Sequence, residues 1–439
     1  MSIFRKYDVR GSYPDKFNEE KAKKIAKAFV KVKDLSGKKV AVGRDARNSS
    51  PQIANAVIEG LVDQGCDVVD IGTTATSVLY YEVVEDNLAG GAMVTASHNP
   101  KGDNGIRFCG KLGLDLVYEA GIKKMEEIHK SEFESKPRGQ VIQRDVLQDF
   151  VDKISSSASI DKSFKVVVDP GNGSSALFAE DIFKSIGCEV VTVNSEVDGE
   201  FPARGPDPVE NVGELGEMVV EEGADLGVAF DGDGDRGVFI DEKGDRVDND
   251  VLLALFVKNL INQGDTVIHD VKSSKLVEDM VEEVGARDIP FRVGMSYIKR
   301  EMIKREAELG GEYTGHFFFK DNDYYDDPYY AATKLLEIMD SKGKLSELVD
   351  KLPTYQSSPE LRLACNNKEE VPGKLKKDFS DKKIVEKDGA KIYFDGGWAL
   401  VRPSGTEDKV SIRFEADTEK DLDEIREKVM RKVEEYIKK

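Results

Sequence analysis

Positive charge is in short supply in this chain: 64 Lys and Arg stand against 84 Asp and Glu, a net charge of −20 over 439 residues. That sign is repelled by phosphate backbones and anionic bilayers, which argues against nucleic acid or membrane as the main partner. An anionic small substrate stays compatible if basic side chains are concentrated locally. Cysteine is scarce as well. Cys66, Cys109, Cys188 and Cys365 are far apart and form no CxxC pair, so a zinc or disulfide framework gives way to ordinary buried thiols in a reduced, cytoplasmic protein. Long apolar runs are missing too. No stretch approaches the ~18 apolar residues of a membrane span, and Met-Ser-Ile-Phe-Arg-Lys-Tyr-Asp has no apolar signal core, so a soluble protein is expected.

What is present is a globular pattern, 39% hydrophobic, in a chain long enough for three or four domains at roughly 100 to 200 residues each. Three segments repeat one plan. Val40-Ala41-Val42 leads through Gly43-Arg44-Asp45 and a Ser-rich loop to a helix beginning near Pro51, then to Gly65-Cys66-Asp67-Val68-Val69. Val166-Val167-Val168 leads through Asp169-Pro170-Gly171-Asn172-Gly173 to a helix ending near Ile186, then to Gly187-Cys188-Glu189-Val190-Val191. Thr266-Val267-Ile268 leads through Asp270-Val271-Lys272-Ser273-Ser274 to a helix ending near Val284, then to Gly285-Ala286-Arg287-Asp288-Ile289. Each is a strand, a polar loop, an amphipathic helix, a glycine stop and a second strand. Ser50-Pro51 reads as a cap followed by a first-turn proline, after which Ile53, Val57 and Leu61 share a face. Leu252, Phe256 and Leu260 do the same after Asp248-Asn249-Asp250.

Leu352-Pro353 to Ser357-Ser358-Pro359 reads as a linker. Beyond it, Leu361 to Cys365, Lys391 to Phe394, Trp398 to Arg402 and Val410 to Ala416 read as strands, and a helix from about Glu419 closes the chain. The expected fold class is α/β: three related α/β domains with mixed sheets, over 1–148, 149–247 and 248–355, plus a smaller C-terminal α+β domain over 356–439.

Four polar stretches carry chemistry. In Thr95-Ala96-Ser97-His98-Asn99-Pro100, the apolar run Ala92-Met93-Val94 enters like a buried strand, and Asn99-Pro100, Gly102 and Asn104-Gly105 prevent its continuation. Ser97 is therefore expected on a tight loop at a strand's end, where open α/β sheets present reactive groups. From the hexapeptide alone, a surface turn that contains a serine is an equal alternative. Asp231-Gly232-Asp233-Gly234-Asp235-Arg236 sets three carboxylates at alternate positions, with glycines that let all three face one hard cation, Mg²⁺ or Ca²⁺. Asp231, Asp233, Asp235, Val238 and Glu242 also match much of an EF-hand loop, but Arg236 takes the position that needs glycine, and the flanks Leu226 to Phe230 and Gly237 to Ile240 read as strands. A solvated acidic turn is the remaining alternative. Mg²⁺ favours a site shared with a substrate phosphate, and Arg236 adds positive charge beside it.

Arg402-Pro403-Ser404-Gly405-Thr406 offers a guanidinium fork, two hydroxyls and a glycine that lets backbone N–H groups converge on an anion; a hairpin turn is its alternative. Gly310-Gly311-Glu312-Tyr313-Thr314-Gly315-His316 presents Glu312 and Thr314 on one side, suited to two neighbouring hydroxyls of a sugar; a glycine-rich strand connection is the alternative there.

Taken in this order, together with Tyr7-Asp8-Val9-Arg10-Gly11, Gly43 to Pro51 and Asp270-Val271-Lys272, these stretches resemble the α-D-phosphohexomutase family of phosphomannomutases, phosphoglucomutases and phosphoglucosamine mutases, over nearly the whole chain. The resemblance implies four domains around a central cleft and an intramolecular phosphotransferase. That isomerase interconverts hexose 6-phosphate and hexose 1-phosphate through a phosphoserine and a 1,6-bisphosphate intermediate, with a hexose 1,6-bisphosphate as activator. By the same resemblance Ser97 carries the phosphoryl group, and Asp231, Asp233, Asp235 and a phosphoserine oxygen hold Mg²⁺. Arg402, Ser404, Gly405 and Thr406 grip the non-reacting phosphate, Glu312 and Thr314 meet the sugar, and Tyr7, Arg10, His98, Lys272 and Arg236 line the reacting end.

Three positions depart from the family's pattern. Arg107 stands where relatives usually place the lysine proposed as general base, and arginine stays protonated. His98, Lys101 or Lys272 is then the base, or Arg107 only stabilises charge. Met295 replaces a histidine of some bacterial members, and Asp408 replaces a common proline. The Glu312 loop and Phe317-Phe318-Phe319-Lys320-Asp321 favour the phosphomannomutase/phosphoglucomutase branch, acting on mannose and/or glucose, with phosphoglucosamine mutase as the alternative. A metal-dependent phosphatase and a non-catalytic sugar-phosphate binder are the readings from other classes. The sequence carries no signal of oligomeric state.

Overall fold

The computed structural model describes residues 2–134, 136–209, 211–404 and 408–437. Two compact units divide it: one contains the chain up to Asp248 together with Gly315–Leu348, the other Asn249–Thr314 together with the chain from Val349.

In the first unit, strands β1 (Val9–Ser12), β2 (Lys39–Arg44), β3 (Asp67–Thr73), β4 (Gly90–Val94), β5 (Asp103–Gly110) and β6 (Val141–Gln143) form a sheet in the order β1-β5-β4-β2-β3-β6. β2 pairs in parallel with β3 and β4, and β3 with β6, whereas β4–β5 and β5–β1 are antiparallel, so the sheet is mixed. Parallel neighbours require crossover connections. The helices Ser50–Val62 and Thr76–Glu85 supply them, and Ile53, Val57 and Leu61 are all buried, as their spacing predicts. The cap differs from expectation by one residue. Ser49 precedes the helix without a side-chain capping bond, and the Ser50 hydroxyl donates instead to Asp45 Oδ1 at 2.5 Å. Gly60 lets this helix lie close to Glu19–Lys33: a Cβ there would fall 2.5 Å from the Lys23 carbonyl oxygen.

A second sheet of this unit comprises β7 (Lys165–Asp169), β8 (Glu189–Thr192), β9 (Leu226–Phe230), β10 (Gly237–Ile240) and β11 (Arg246–Val247), in the order β11-β10-β9-β7-β8. β7 is parallel to β8 and β9, while β9 and β10 form an antiparallel hairpin around the Asp231 loop. Strands on both flanks remove the EF-hand alternative, which needs helices.

The second unit begins with the helix Asn249–Leu260, which buries Leu252 and Phe256. β12 (Thr266–Asp270) then pairs in parallel with β13 (Arg287–Phe291) and β14 (Leu309–Gly311). The repeated plan of the sequence is thus three parallel pairs, β2–β3, β7–β8 and β12–β13. Each connecting helix is followed by a glycine in the left-handed region: Gly65, Gly187 and Gly285, with φ of 80°, 88° and 71°. Residues 315–348 belong to the first unit and contain β15 (Phe317–Phe319) and the helix Pro328–Lys342, capped by Asp327, which accepts the Tyr329 and Tyr330 N–H groups.

In the C-terminal part of the second unit, β16 (Gln356–Ser357), β17 (Leu361–Ala364), β18 (Ile384–Val385), β19 (Ala390–Phe394), β20 (Gly397–Pro403) and β21 (Lys409–Ala416) pair antiparallel around β20 and β21. The expected linker is therefore partly a strand, because Gln356 and Ser357 pair with Ala416 and Glu415. Ile425, Val429 and Val433 of the closing helix Glu419–Ile437 recur every four residues and are buried. Among the described residues no helix is long and apolar enough to cross a membrane. None of the four cysteines is joined in a disulfide, and all are buried.

Candidate active site

β4 is buried along its whole length and delivers the chain to Ser97, which is itself buried and adopts φ 50°, a left-handed conformation uncommon for serine. The Ser97 hydroxyl donates to Asp231 Oδ2 at 3.0 Å and lies 3.1 Å from His98 Nδ1, while its backbone N–H donates to Thr95 Oγ1 at 2.7 Å. Arg10, on β1, reaches the same loop: its Nη1 donates to the Ala96 carbonyl at 2.7 Å and Asn99 Oδ1 at 2.9 Å, and its Nη2 is paired with Asp8 at 2.8 Å. Tyr7 is half-buried just before β1.

The Asp231 hairpin closes on itself, with Asp231 Oδ1 accepting the Asp235 and Arg236 N–H groups at 3.0 and 3.2 Å. Asp231, Asp233 and Asp235 are fully buried, and one carboxylate oxygen from each lies within 4.8 Å of the others. Thr76 Oγ1 donates to Asp233 Oδ2 at 2.8 Å, and Arg107 Nη1 donates to Asp235 Oδ2 at 2.5 Å. Asp233 Oδ1 and Asp235 Oδ1 are left buried without a hydrogen-bond donor. Three buried carboxylates with two oxygens unmatched suit a hard divalent cation, since leaving such oxygens uncompensated is unfavourable.

The electrostatics follow from crowding. Burial and the neighbouring Asp235 and Asp233 charges push Asp231 well above the usual carboxylate range, and burial with Asp235 raises Asp233. Burial acts upward on Asp235 too, but Arg107, His316 and Arg236 together hold it below that range. The Arg236 charge, then burial and Arg10, push the His98 imidazole down to about 2, so it is neutral. Arg236 Nε donates to His316 Nε2 at 3.0 Å, and His316 Nδ1 is bonded to Asp326 Oδ2 at 2.9 Å. Lys101 points away to Glu200, with Nζ 2.6 Å from Oε2, and this partner raises it. That engagement keeps its ammonium protonated and argues against Lys101 as the base.

The remaining predicted residues lie in the second unit. Lys272 follows β12, with Nζ 3.1 Å from Glu360 Oε2 and 4.9 Å from the centre of the Tyr313 ring. Glu312 is buried beyond β14 and accepts the Gly294 N–H at 2.5 Å; Thr314 is half-buried. Asp270 joins the two loops, accepting the Lys272 N–H at 2.6 Å and the Tyr313 N–H at 3.0 Å. Arg402, at the end of β20, pairs with Asp388 at 2.9 Å, and the Ser404 N–H donates to the Lys409 carbonyl at 2.8 Å, so this stretch connects two antiparallel strands. Gly405 and Thr406 lie outside the described residues.

Sequence reasoning passed over Thr76 and the partners of His316. Thr76 lies 157 residues from Asp233 and carries no local motif; His316 ended a stretch read only for Glu312 and Thr314.

Three α/β domains followed by a smaller C-terminal one are the features of a phosphohexomutase, an isomerase. The chain belongs to the phosphoglucomutase/phosphomannomutase family: the models of its alpha/beta/alpha domains I, II and III match residues 1–136, 147–244 and 248–355, and that of its C-terminal domain matches 360–432. A phosphomannomutase/phosphoglucomutase of Pseudomonas syringae pv. tomato is 37% identical over 437 residues, covering 97% of this chain and 93% of that one. The crystal structure of a phosphoglucomutase/phosphomannomutase family protein from Burkholderia thailandensis, 32% identical, superposes with a TM-score of 0.93 over 99% of this chain and 97% of that one. The N-acetylphosphoglucosamine mutase of Aspergillus fumigatus, crystallised with GlcNAc-6P and magnesium, shares the fold at 13% identity, with a TM-score of 0.63 over 98% of this chain and 94% of that one.

Proposed function

We propose that this chain interconverts hexose 6-phosphate and hexose 1-phosphate, with mannose and/or glucose as the hexose, by phosphoryl transfer through Ser97. The observation that carries this reading is the Ser97 hydroxyl, buried at the end of β4 and 3.0 Å from Asp231. In the first half-reaction the P–O bond of phosphorylated Ser97 breaks and a new one forms to the free hydroxyl of the hexose phosphate, whose proton passes, in the net balance, to the departing Ser97 oxygen. The resulting 1,6-bisphosphate turns round, and its other phosphoryl group returns to Ser97. Such transfers ask for positioning and charge stabilisation more than for covalent work by the protein.

The residues divide the task by charge. Arg10 and Arg236 present guanidinium groups at the Ser97 loop and the aspartate hairpin, and we assign Arg107 to charge stabilisation, because it stays protonated. His98 holds a neutral imidazole against Ser97 Oγ. Tyr7 and Lys272 complete the reacting end, Glu312 and Thr314 take two sugar hydroxyls, and Arg402, Ser404, Gly405 and Thr406 take the non-reacting phosphate. Asp231, Asp233, Asp235 and an oxygen of phosphorylated Ser97 are assigned to Mg²⁺, supported by the two unmatched buried oxygens of Asp233 and Asp235. When bound, the ion supplies positive charge to the phosphoryl oxygens. A hexose 1,6-bisphosphate restores phosphoserine lost to water, which makes it an activator. Buried thiols outside any disulfide fit a reducing, cytoplasmic setting.

Kinetics with mannose, glucose and glucosamine 1-phosphates, each with and without glucose 1,6-bisphosphate, test the proposal. Turnover of mannose or glucose phosphate that depends on the bisphosphate is expected. Turnover of glucosamine phosphate alone would transfer the chain to the phosphoglucosamine branch, and release of inorganic phosphate without activator would identify a phosphatase.

A further inference from the structure

The loop Arg44 to Pro51 was singled out by its sequence, yet nothing in the proposed reaction uses it. Arg47 within it is among the largest fully buried side chains of the protein, and its side chain has no exposed surface. All five of its guanidinium N–H donors are spent. Nε donates to Asp45 Oδ2 at 3.0 Å; Nη1 donates to the carbonyls of Pro100 and Asp103 at 2.7 and 3.0 Å; Nη2 donates to those of Ser97 and Asn99 at 2.6 and 2.7 Å. One side chain therefore gathers four backbone oxygens from the seven residues that begin at Ser97.

We infer that Arg47 is a positioning residue for the phosphoryl-carrying serine. Four carbonyl dipoles aimed at one point repel each other unless a cation sits there, and a planar fork serves four acceptors where the compact ammonium of lysine, with three donors, does not. The clasp is anchored from behind. Asp45 accepts Arg47 Nε and, through Oδ1, the Arg47 N–H at 3.2 Å and the Ser50 hydroxyl, while Asn104 Nδ2 donates to Ser49 Oγ and Ser50 Oγ at 2.8 and 3.0 Å. The Phe201 ring covers the guanidinium, its centre 5.4 Å from Cζ.

Two consequences reach the serine. The carbonyl oxygens of Ser97, Asn99 and Pro100 are committed to Arg47, which directs their negative ends away from a phosphoryl group on the Ser97 hydroxyl. Ser97 is also held at φ 50°, a conformation that persists for a serine when its surroundings determine it. Releasing the carbonyls lets the loop relax and the hydroxyl leave its place beside Asp231. A misplacement of about 1 Å in such a transfer lowers the rate by about 100-fold.

The inference rests on Ser97 being the phosphoryl carrier, and Arg47→Lys tests it with two readouts. The variant keeps a positive charge beside Asp45 but cannot span four carbonyls. Expected are a kcat lower by about 100-fold with KM within about two-fold of wild type, since substrate contacts are unchanged, and faster amide deuterium exchange confined to the peptide over 95–104. A protein destabilised overall would instead exchange faster throughout. If Arg47→Lys does not fold, Asp45→Asn, which retains every guanidinium donor and weakens the anchor, is measured in the same way, with the same direction expected. Unchanged kcat and unchanged loop exchange in either folded variant overturns the inference, as does a fall in rate that only follows the fraction unfolded. Absence of mutase turnover in the wild-type protein would reject the proposed function, whereas the exchange readout, which needs no substrate, still decides whether Arg47 holds the loop.

Discussion

Arg107 and Asp235, 128 residues apart, form an ion pair in which Nη1 lies 2.5 Å from Oδ2, the carboxylate fully buried and the guanidinium nearly so. The family resemblance implies a lysine at this position as the base. Here the side chain is a permanent cation, fixed on one of the three carboxylates assigned to the metal. Its value to the protein is electrostatic, because it offsets negative charge that burial would otherwise make unfavourable.

Replacing Arg107 by Met therefore leaves Asp235 buried without its short ion pair, with Arg236 Nε 3.9 Å away as the remaining cation partner. Loss of one partner from a buried pair costs about 3–5 kcal/mol, to be read from urea unfolding of the metal-free protein. Added Mg²⁺ is expected to recover part of the loss in the variant, by stabilising the folded form to which it binds. Identical unfolding midpoints for variant and wild type without metal would show that the pair contributes nothing.

Ser97→Ala removes the hydroxyl that stands 3.0 Å from Asp231. Mutase turnover is expected to disappear while calorimetry still detects sugar-phosphate binding. Intact mass should show a phosphoryl group on the wild-type protein that is missing from the variant. Wild-type turnover by the alanine protein would reject Ser97 as the carrier.

Lys101 sits four residues from Ser97, yet its ammonium is engaged with Glu200, and both side chains are more than half exposed. Exposed pairs of this kind contribute little. Lys101→Ala is accordingly expected to leave kcat and the pH–rate profile unchanged, and a large fall in kcat would restore Lys101 as the proton acceptor.

Asp250 supplies a pH-dependent term to stability. Burial pushes its carboxyl up to about 7, against the lowering pull of Arg413, whose Nη2 is 3.7 Å away, and with the Asp270 and Glu415 charges adding to the rise. Asp250 Oδ1 is buried without a donor. A carboxyl with its folded value above its unfolded one binds protons more tightly when folded. Its contribution is complete below about pH 4, the unfolded value, and is lost as pH rises through about 7. Asp250→Asn stays neutral, so wild type should lose roughly 2–4 kcal/mol relative to the variant between about pH 4 and pH 8. Parallel stability curves for the two proteins would contradict this.

Local chemistry made much of the protein legible from the chain alone. Strand, polar loop, amphipathic helix and left-handed glycine are neighbours in sequence, so hydrophobic period and glycine position revealed the three parallel units. The aspartate hairpin was legible for the same reason: its carboxylates are two residues apart, and its flanks, Leu226–Phe230 and Gly237–Ile240, are short apolar runs that form strands buried along their whole length. The four motifs in order sufficed to place the chain in its family.

Sheet order decided the rest, and no local signal announces it. β5 lies beside β4 in the sheet, and the fold takes its Arg107 to Asp235 of the aspartate hairpin; Thr76 reaches Asp233 across 157 residues; Arg236 meets His316 across 80. Arg47 was read only as part of a motif, because the four carbonyls it serves come together when β2 and β4 pair in parallel and their following loops meet. By itself the sequence determined which groups the protein owns and the local frames that carry them. Which charge faces which carboxylate depends on distances between segments far apart in the chain, and those exist only once the sheets have assembled.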